Sequence, residues 1–144
     1  MFDVLEHVDD DLGMLRFLWS ALLPGGVVVL TVPAHPFLYD EMDEIAHHRR
    51  RYTRRSLHGR LVEAGFEVRL LTHFMSPLVP LLAAVRAGGR LLPHRATVRR
   101  QKEFQVIPGL NGVMRGVLAA ERSLLRVRPL PFGTSLVAVA VRPR

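Results

Sequence analysis

The chain has 144 residues, about one domain, and its 49% hydrophobic and 23% charged content is that of an ordinary globular fold rather than a disordered or fibrous one. It has no cysteine, which excludes disulfides and cysteine-ligated zinc and suits a reducing, cytoplasmic setting. The net charge of +7 is uneven: residues 1–48 carry nine acids and one base, Arg16, whereas residues 49–144 carry nineteen bases and four acids.

In chain order, Asp9, Asp10 and Asp11 offer N-caps and favourable charge for a first helix. Leu12, Leu15, Leu18 and Leu22, with Trp19 beside them, follow at helical spacing. Pro24 and Gly25 of "LPGG" end it. "VVVLTV", Val27 to Val32, is a continuous run that predicts a strand buried on both faces, central in a mostly parallel sheet, with Pro33 stopping it. "AHPFLYDEMDEIAHHRRRY", residues 34–52, reads as a long connection of the kind that often carries function. Thr53 caps a helix from Arg54 to Ala64, with Leu57, Leu61 and Val62 inward and Gly65 as terminator. "FEVRLLTHF", Phe66 to Phe74, is a second strand.

Ser76 to Leu92 predicts one or two apolar helical segments. Pro77, Pro80, Arg86, Gly88, Gly89 and Arg90 interrupt this greasy stretch, so no transmembrane span is expected, and the acidic start lacks a signal-peptide pattern. "PHRATVRRQKEFQVIPGLNG" reads as a polar, basic loop. Asn111 to Val127 reads helical, "PLPFG" turns the chain, and Thr134 to Val141 is the last strand. The alternation says α/β, with a helical insert at about 76–127 before the last strand. Only three strands are evident and the first reads as central, which leaves a hydrophobic edge open to self-association. The pattern is that of the second half of a doubly wound domain.

"FDVLEHVDDD", then "LLPGGVVVLTVP", then "LVEAGFEV", in that order, resemble the class I S-adenosylmethionine-dependent methyltransferases. "HHRRRYT" and "PFGTSLVAVA" resemble one bacterial branch of them. The resemblance covers nearly all of residues 1–142. It implies the C-terminal half of a Rossmann-like sheet, starting at the end of the fourth strand, and methyl transfer to a small-molecule acceptor in the intact form. The glycine-rich cofactor loop and the ribose-binding acid of that family are absent from this sequence. The chain alone is therefore expected to be a fragment that binds S-adenosylmethionine weakly. The rival reading is a non-enzymatic remnant, or a subunit that completes its sheet with a partner chain.

By the same resemblance, Phe2 and Asp3 lie beside the cofactor. His7 is either a general base for the acceptor or, with Glu6, a structural cap. Asp3, Glu6 and His7 form a "D-x-x-E-H" pattern similar to the divalent-ion cluster of some relatives, a less favoured alternative to a metal-free site. In "AHHRRRYT", His47, His48, Arg49 and Tyr52 either shape an acceptor pocket or belong to a solvated basic turn paired with Asp40, Glu41, Asp43 and Glu44. An anionic or lipid-linked acceptor would suit these arginines. Yet nineteen of the twenty bases are arginine, with Lys102 alone, so compositional bias explains them too. Nucleic acid is not favoured, because no interleaved aromatics or binding motif accompany the charge.

Overall fold

The computed structural model describes residues 1–76 and 108–144. The expected apolar helices at 76–92 lie almost wholly outside these, as does most of the expected basic loop. The chain divides into two units, Met1–Phe74 with Pro129–Arg144, and Met75–Arg128.

In the first unit a short 3-10 turn, Leu5–His7, precedes α1, Asp11–Ala21. Asp10 caps α1 by accepting from the Gly13 amide. Strand β1, Val27–Pro33, leads to a second 3-10 turn, Pro36–Leu38. A one-turn helix follows, α2, Glu41–Ile45, with a capping box between Asp40 and Asp43. Helix α3, Arg54–Glu63, starts at Thr53 with a second capping box, closed by Ser56. Strand β2, Glu67–Phe74, and strand β3, Ser135–Val141, complete the unit. The second unit contains α4, Pro108–Leu125; there Glu121 accepts from the amides of Met75 and Ser76.

The sheet runs β1-β3-β2, with β3 antiparallel to both neighbours. This corrects the expectation of a mostly parallel sheet with β1 at its centre. β1 and β2 do run parallel, but β3 lies between them, and β1 is an outer strand of these three. Among the described residues, its far edge meets only a parallel bridge, Phe2 to Thr31, and the amino terminus, which donates to the Val29 carbonyl at 2.8 Å.

The core lies under one sheet face, where Leu5, Leu15, Leu30, Val32, Leu57, Leu61 and Leu136 are fully buried. α1 packs on α3, and α3 on β2. The expected two-sided burial of β1 fails in its first half: Val28 is buried, whereas Val27 is 52% and Val29 38% exposed. Val62, expected inward on α3, is exposed as well.

Candidate functional site

Ligands of open α/β sheets bind at the carboxyl edge of the parallel strands. Here that edge is the end of β1, and several segments converge on it. The Asp3 amide donates to the Thr31 carbonyl at 3.1 Å, and the Thr31 hydroxyl donates to the Asp3 carboxylate at 3.0 Å. On the other side of the strand end, Tyr52 forms a parallel bridge with Ala34. Asp3, His35 and His47 all have positive φ, 49°, 61° and 57°. Asp and His tolerate that region better than most residues, yet it still costs backbone energy, and such positions gather at functional sites.

Glu6 is completely buried, and neither carboxylate oxygen has a hydrogen-bond partner among the described residues. Burial pushes its pKa above the ordinary 4.5; Asp3 adds to the rise, while Glu6's own backbone, His48 and His7 oppose it. The exposed His7 and the half-buried His48 stand beside it with their rings 4.8 Å apart, edge to face. One ligand atom each from Glu6, His7 and His48 lie within 4.8 Å of one another.

Both imidazoles are oriented from behind. The His48 Nδ1–H donates to Asp43 at 2.8 Å, and the His7 Nδ1–H donates to the His47 carbonyl at 3.1 Å. A neutral imidazole held through Nδ1–H keeps its lone pair on Nε2. Asp43 is itself buried and accepts from Arg51 Nε at 2.9 Å. Burial alone would raise its pKa, but the hydrogen bonds from Arg51, His48 and the Asp40 backbone outweigh it and hold the carboxyl below its ordinary 3.8.

Of the rest of the "HHRRRYT" segment, Arg50, Arg51 and Tyr52 turn inward. Tyr52, 3% exposed, donates to Asp11 at 2.9 Å, and burial with that carboxylate drives its phenol far above the ordinary range. Arg50 donates to the carbonyls of Val8 and Asp9, and Arg51 to that of Ala34. Arg49 pairs with Asp9 at 2.9 Å where both are exposed. The structure thus brings Glu6, His7 and His48 together, keeps Asp3 on Thr31, and commits Tyr52 to Asp11. Phe2 is exposed at the edge.

Sequence reading missed two histidines. His35 follows β1 directly, and its ring stacks on that of His73 at 5.1 Å with 7° between planes. Both are histidines at strand ends, in "VPAH" and "LLTHF", and that position was the available signal.

Residues 1–71 match the methyltransferase domain family. That match covers just under half of the chain. A protein described as a methyltransferase from Bacillus halodurans C-125 shares the fold at TM-score 0.56 and 18% identity, over 99% of this chain and 62% of its own. The phosphoethanolamine N-methyltransferase 2 of Haemonchus contortus, in complex with S-adenosyl-L-methionine, matches at 0.52 and 15%, over 99% of this chain and 32% of its own. A structure described as a sarcosine dimethylglycine methyltransferase from Galdieria sulphuraria matches at 0.52 and 18%, over 99% and 51%. The segment and its surroundings therefore span less than two thirds of these proteins, and at such identities the likeness is one of fold. No curated protein matches the chain.

Proposed function

We infer that this chain is the carboxyl-terminal portion of an S-adenosylmethionine-dependent methyltransferase, the C-terminal half of its doubly wound sheet, acting on a small-molecule acceptor. The match of residues 1–71 to the methyltransferase domain carries the reading. The grouping of Phe2, Asp3, Glu6, His7 and His48 at the carboxyl edge supports it. So do two of the three similar structures, which are named for small acceptors. A cysteine-free chain accords with the cytoplasm.

The residues present fit S-adenosylmethionine only in part. Phe2 and Asp3 border the place for its methionine end, but the Asp3 carboxylate is held by Thr31, and the sequence supplies no glycine-rich turn. His7, exposed and oriented by the His47 carbonyl, is placed to accept a proton from the acceptor. His47, His48 and Arg49 form the rim, Arg49 being the loop's most exposed cation toward an anionic group. Tyr52 supports the loop through Asp11. Calorimetry with the cofactor, joined to amide shift mapping, tests the reading. The expected result is binding weaker than micromolar with shifts confined to the edge around Phe2, Asp3 and Thr31. Micromolar affinity would overturn the partial cradle, and shifts elsewhere would overturn the placement.

One observation favours a second reading, a divalent ion at this edge. Two imidazoles oriented through Nδ1 beside an unpartnered buried carboxylate make a donor set suited to manganese or zinc. The set is Glu6, His7 and His48, in place of the Asp3, Glu6 and His7 of the sequence pattern. The non-enzymatic alternative, a subunit completing its sheet with a partner, draws on the exposed Val27 and Val29.

A further inference from the structure

The net charge of the chain is not shared between its two units. Met75–Arg128 holds ten bases and two acids, a net of +8, whereas the other unit holds ten bases and eleven acids, a net of −1. A bias toward arginine over lysine explains the kind of base, but not why acids are so few here. The first unit also uses most of its arginines internally: Arg16, Arg49, Arg50, Arg51, Arg60 and Arg69 each pair with an acid. On α4 the pattern is the reverse. Arg115 and Arg122 lie about two turns apart, hence on one side of the helix, and Arg126 follows just past its end. All three are exposed, and none forms an ion pair among the described residues. Glu121, the one acid of α4, is buried and bonded to the Met75 and Ser76 amides at 3.0 and 2.7 Å, so it does not neutralise that side.

A cavity of about 410 Å³ opens on this side, lined by Leu118, Ala119, Arg122, Ser123 and Arg126. The Ser123 hydroxyl donates to the Ala119 carbonyl at 3.1 Å, which leaves the two guanidinium groups as the donors of the lining. Leu118 and Ala119 supply an apolar wall. A guanidinium is a planar fork matched to phosphate oxygens, and its stem lies well on apolar surface. Cationic forks above an apolar wall suit a phosphate that carries a greasy group. Nucleic acid also offers phosphates, but the described part of this unit has no aromatic side chain on which a base could stack. Charge complementarity and the apolar wall together favour a lipid surface.

We propose that this side of α4 docks on an anionic bilayer surface, with Arg115, Arg122 and Arg126 holding headgroup phosphates and the Leu118–Ala119 wall against the glycerol region. The docking is peripheral, since no helix among the described residues is long and apolar enough to cross a membrane. It stands or falls apart from the methyltransferase reading. Flotation of the 144-residue chain with vesicles tests it, because only lipid-bound protein rises and self-associated protein stays below. Vesicles of equal parts phosphatidylcholine and phosphatidylglycerol should carry the chain up, phosphatidylcholine alone should not, and high salt should release it. Changing Arg122 and Arg126 together to glutamine, which keeps helix propensity, should weaken binding about fivefold for each charge removed, and Arg115→Gln alone about fivefold. Changing Arg54 and Arg55 to glutamine removes the same charge from exposed positions on α3 and should leave the affinity within about twofold. All these side chains are exposed, so the melting transitions should match the parent's. Equal loss in the two double variants means attraction to net charge alone and overturns the proposal. So does equal flotation with both vesicles, or flotation with neither. Release by inorganic phosphate, at an ionic strength where chloride leaves the chain bound, assigns the cavity to free phosphate and overturns the membrane. Tighter binding to a single-stranded oligonucleotide than to the mixed vesicles overturns it as well.

Discussion

Glu6 and Asp43 are both buried carboxylates, yet their surroundings drive them in opposite directions. Asp43 is met by Arg51 and His48, so its ionised form is favoured and its pKa falls below 3.8. Its contribution to stability is present above that value and lost as pH falls through the depressed one. Asp43→Asn should cost about 3 kcal/mol at pH 7, because a buried partner charge is left unpaired, with the penalty shrinking in acid; denaturant melts at pH 7 and pH 3 check it. Glu6 has no such partner, and its pKa rises above 4.5. Its acid form is the one the fold favours, so that contribution is intact below 4.5 and lost as pH rises through the folded value. Glu6→Gln should therefore raise the melting temperature at pH 7 and leave it unchanged at pH 4, while abolishing manganese binding by calorimetry if the ion reading holds. Among the described residues, Glu6 is the buried carboxylate whose oxygens have no hydrogen-bond partner, a state that calls for an explanation. The sequence showed Glu6 and His7 as neighbours, but not that His48 joins them from 41 positions away. It also left the arginines of "RRR" open, because Asp9 and Asp11, which pair with Arg49 and Arg50, lie far back in the chain.

The elements themselves were more legible than their arrangement. Asp10 and Thr53 cap helices where the sequence placed caps, because capping is local. Strand direction and order were not legible, since β3 inserts between β1 and β2 from more than sixty residues beyond the latter. α2 was missed because one turn leaves too little periodicity to read. The link between β3 and α1 was also out of reach. Arg142, just past β3, donates to the carbonyls of Trp19, Ser20 and Leu22 at 3.0, 3.3 and 2.6 Å, and its guanidinium lies 3.9 Å over the Trp19 ring. A cation here neutralises the carboxyl end of the helix dipole and satisfies carbonyls left free at the terminus. Trp19 in turn donates to the Gly65 carbonyl, and Gly65, at φ +98° with Trp19 3.0 Å from where a Cβ would be, has to be glycine. Arg142→Ala should cost about 2 kcal/mol by losing both the cap and the ring contact, and Arg142→Lys should recover part of it. An unchanged denaturation midpoint in Arg142→Ala would show that β3 does not hold the end of α1.

At the scale of the first unit, the two faces of the sheet differ. One carries the core with α1 and α3. On the other, Val29 and Leu70 both pair with Val139, and Val27 pairs with Val141, so apolar side chains from all three strands lie in rows. Val27, Val29 and Leu70 are exposed among the described residues. Beside them, the described residues engage the outer edge of β1 only near Thr31 and by the amino terminus at Val29. An open edge bordering an apolar face is a template for pairing with another chain. The described residues show no helix long and apolar enough to cross a membrane, so this face is not explained by a span. The 144-residue chain is therefore expected to self-associate through β1, with its weight-average mass in sedimentation rising with concentration. Replacing Val27 and Val29 together by lysine puts charge on the exposed positions and leaves Val28, Leu30 and Val32 in the core. That variant should sediment as a monomer with its melting transition kept. If the unmodified chain is monomeric at every concentration, the edge is not sticky; if the variant still associates, the contact lies elsewhere on the molecule.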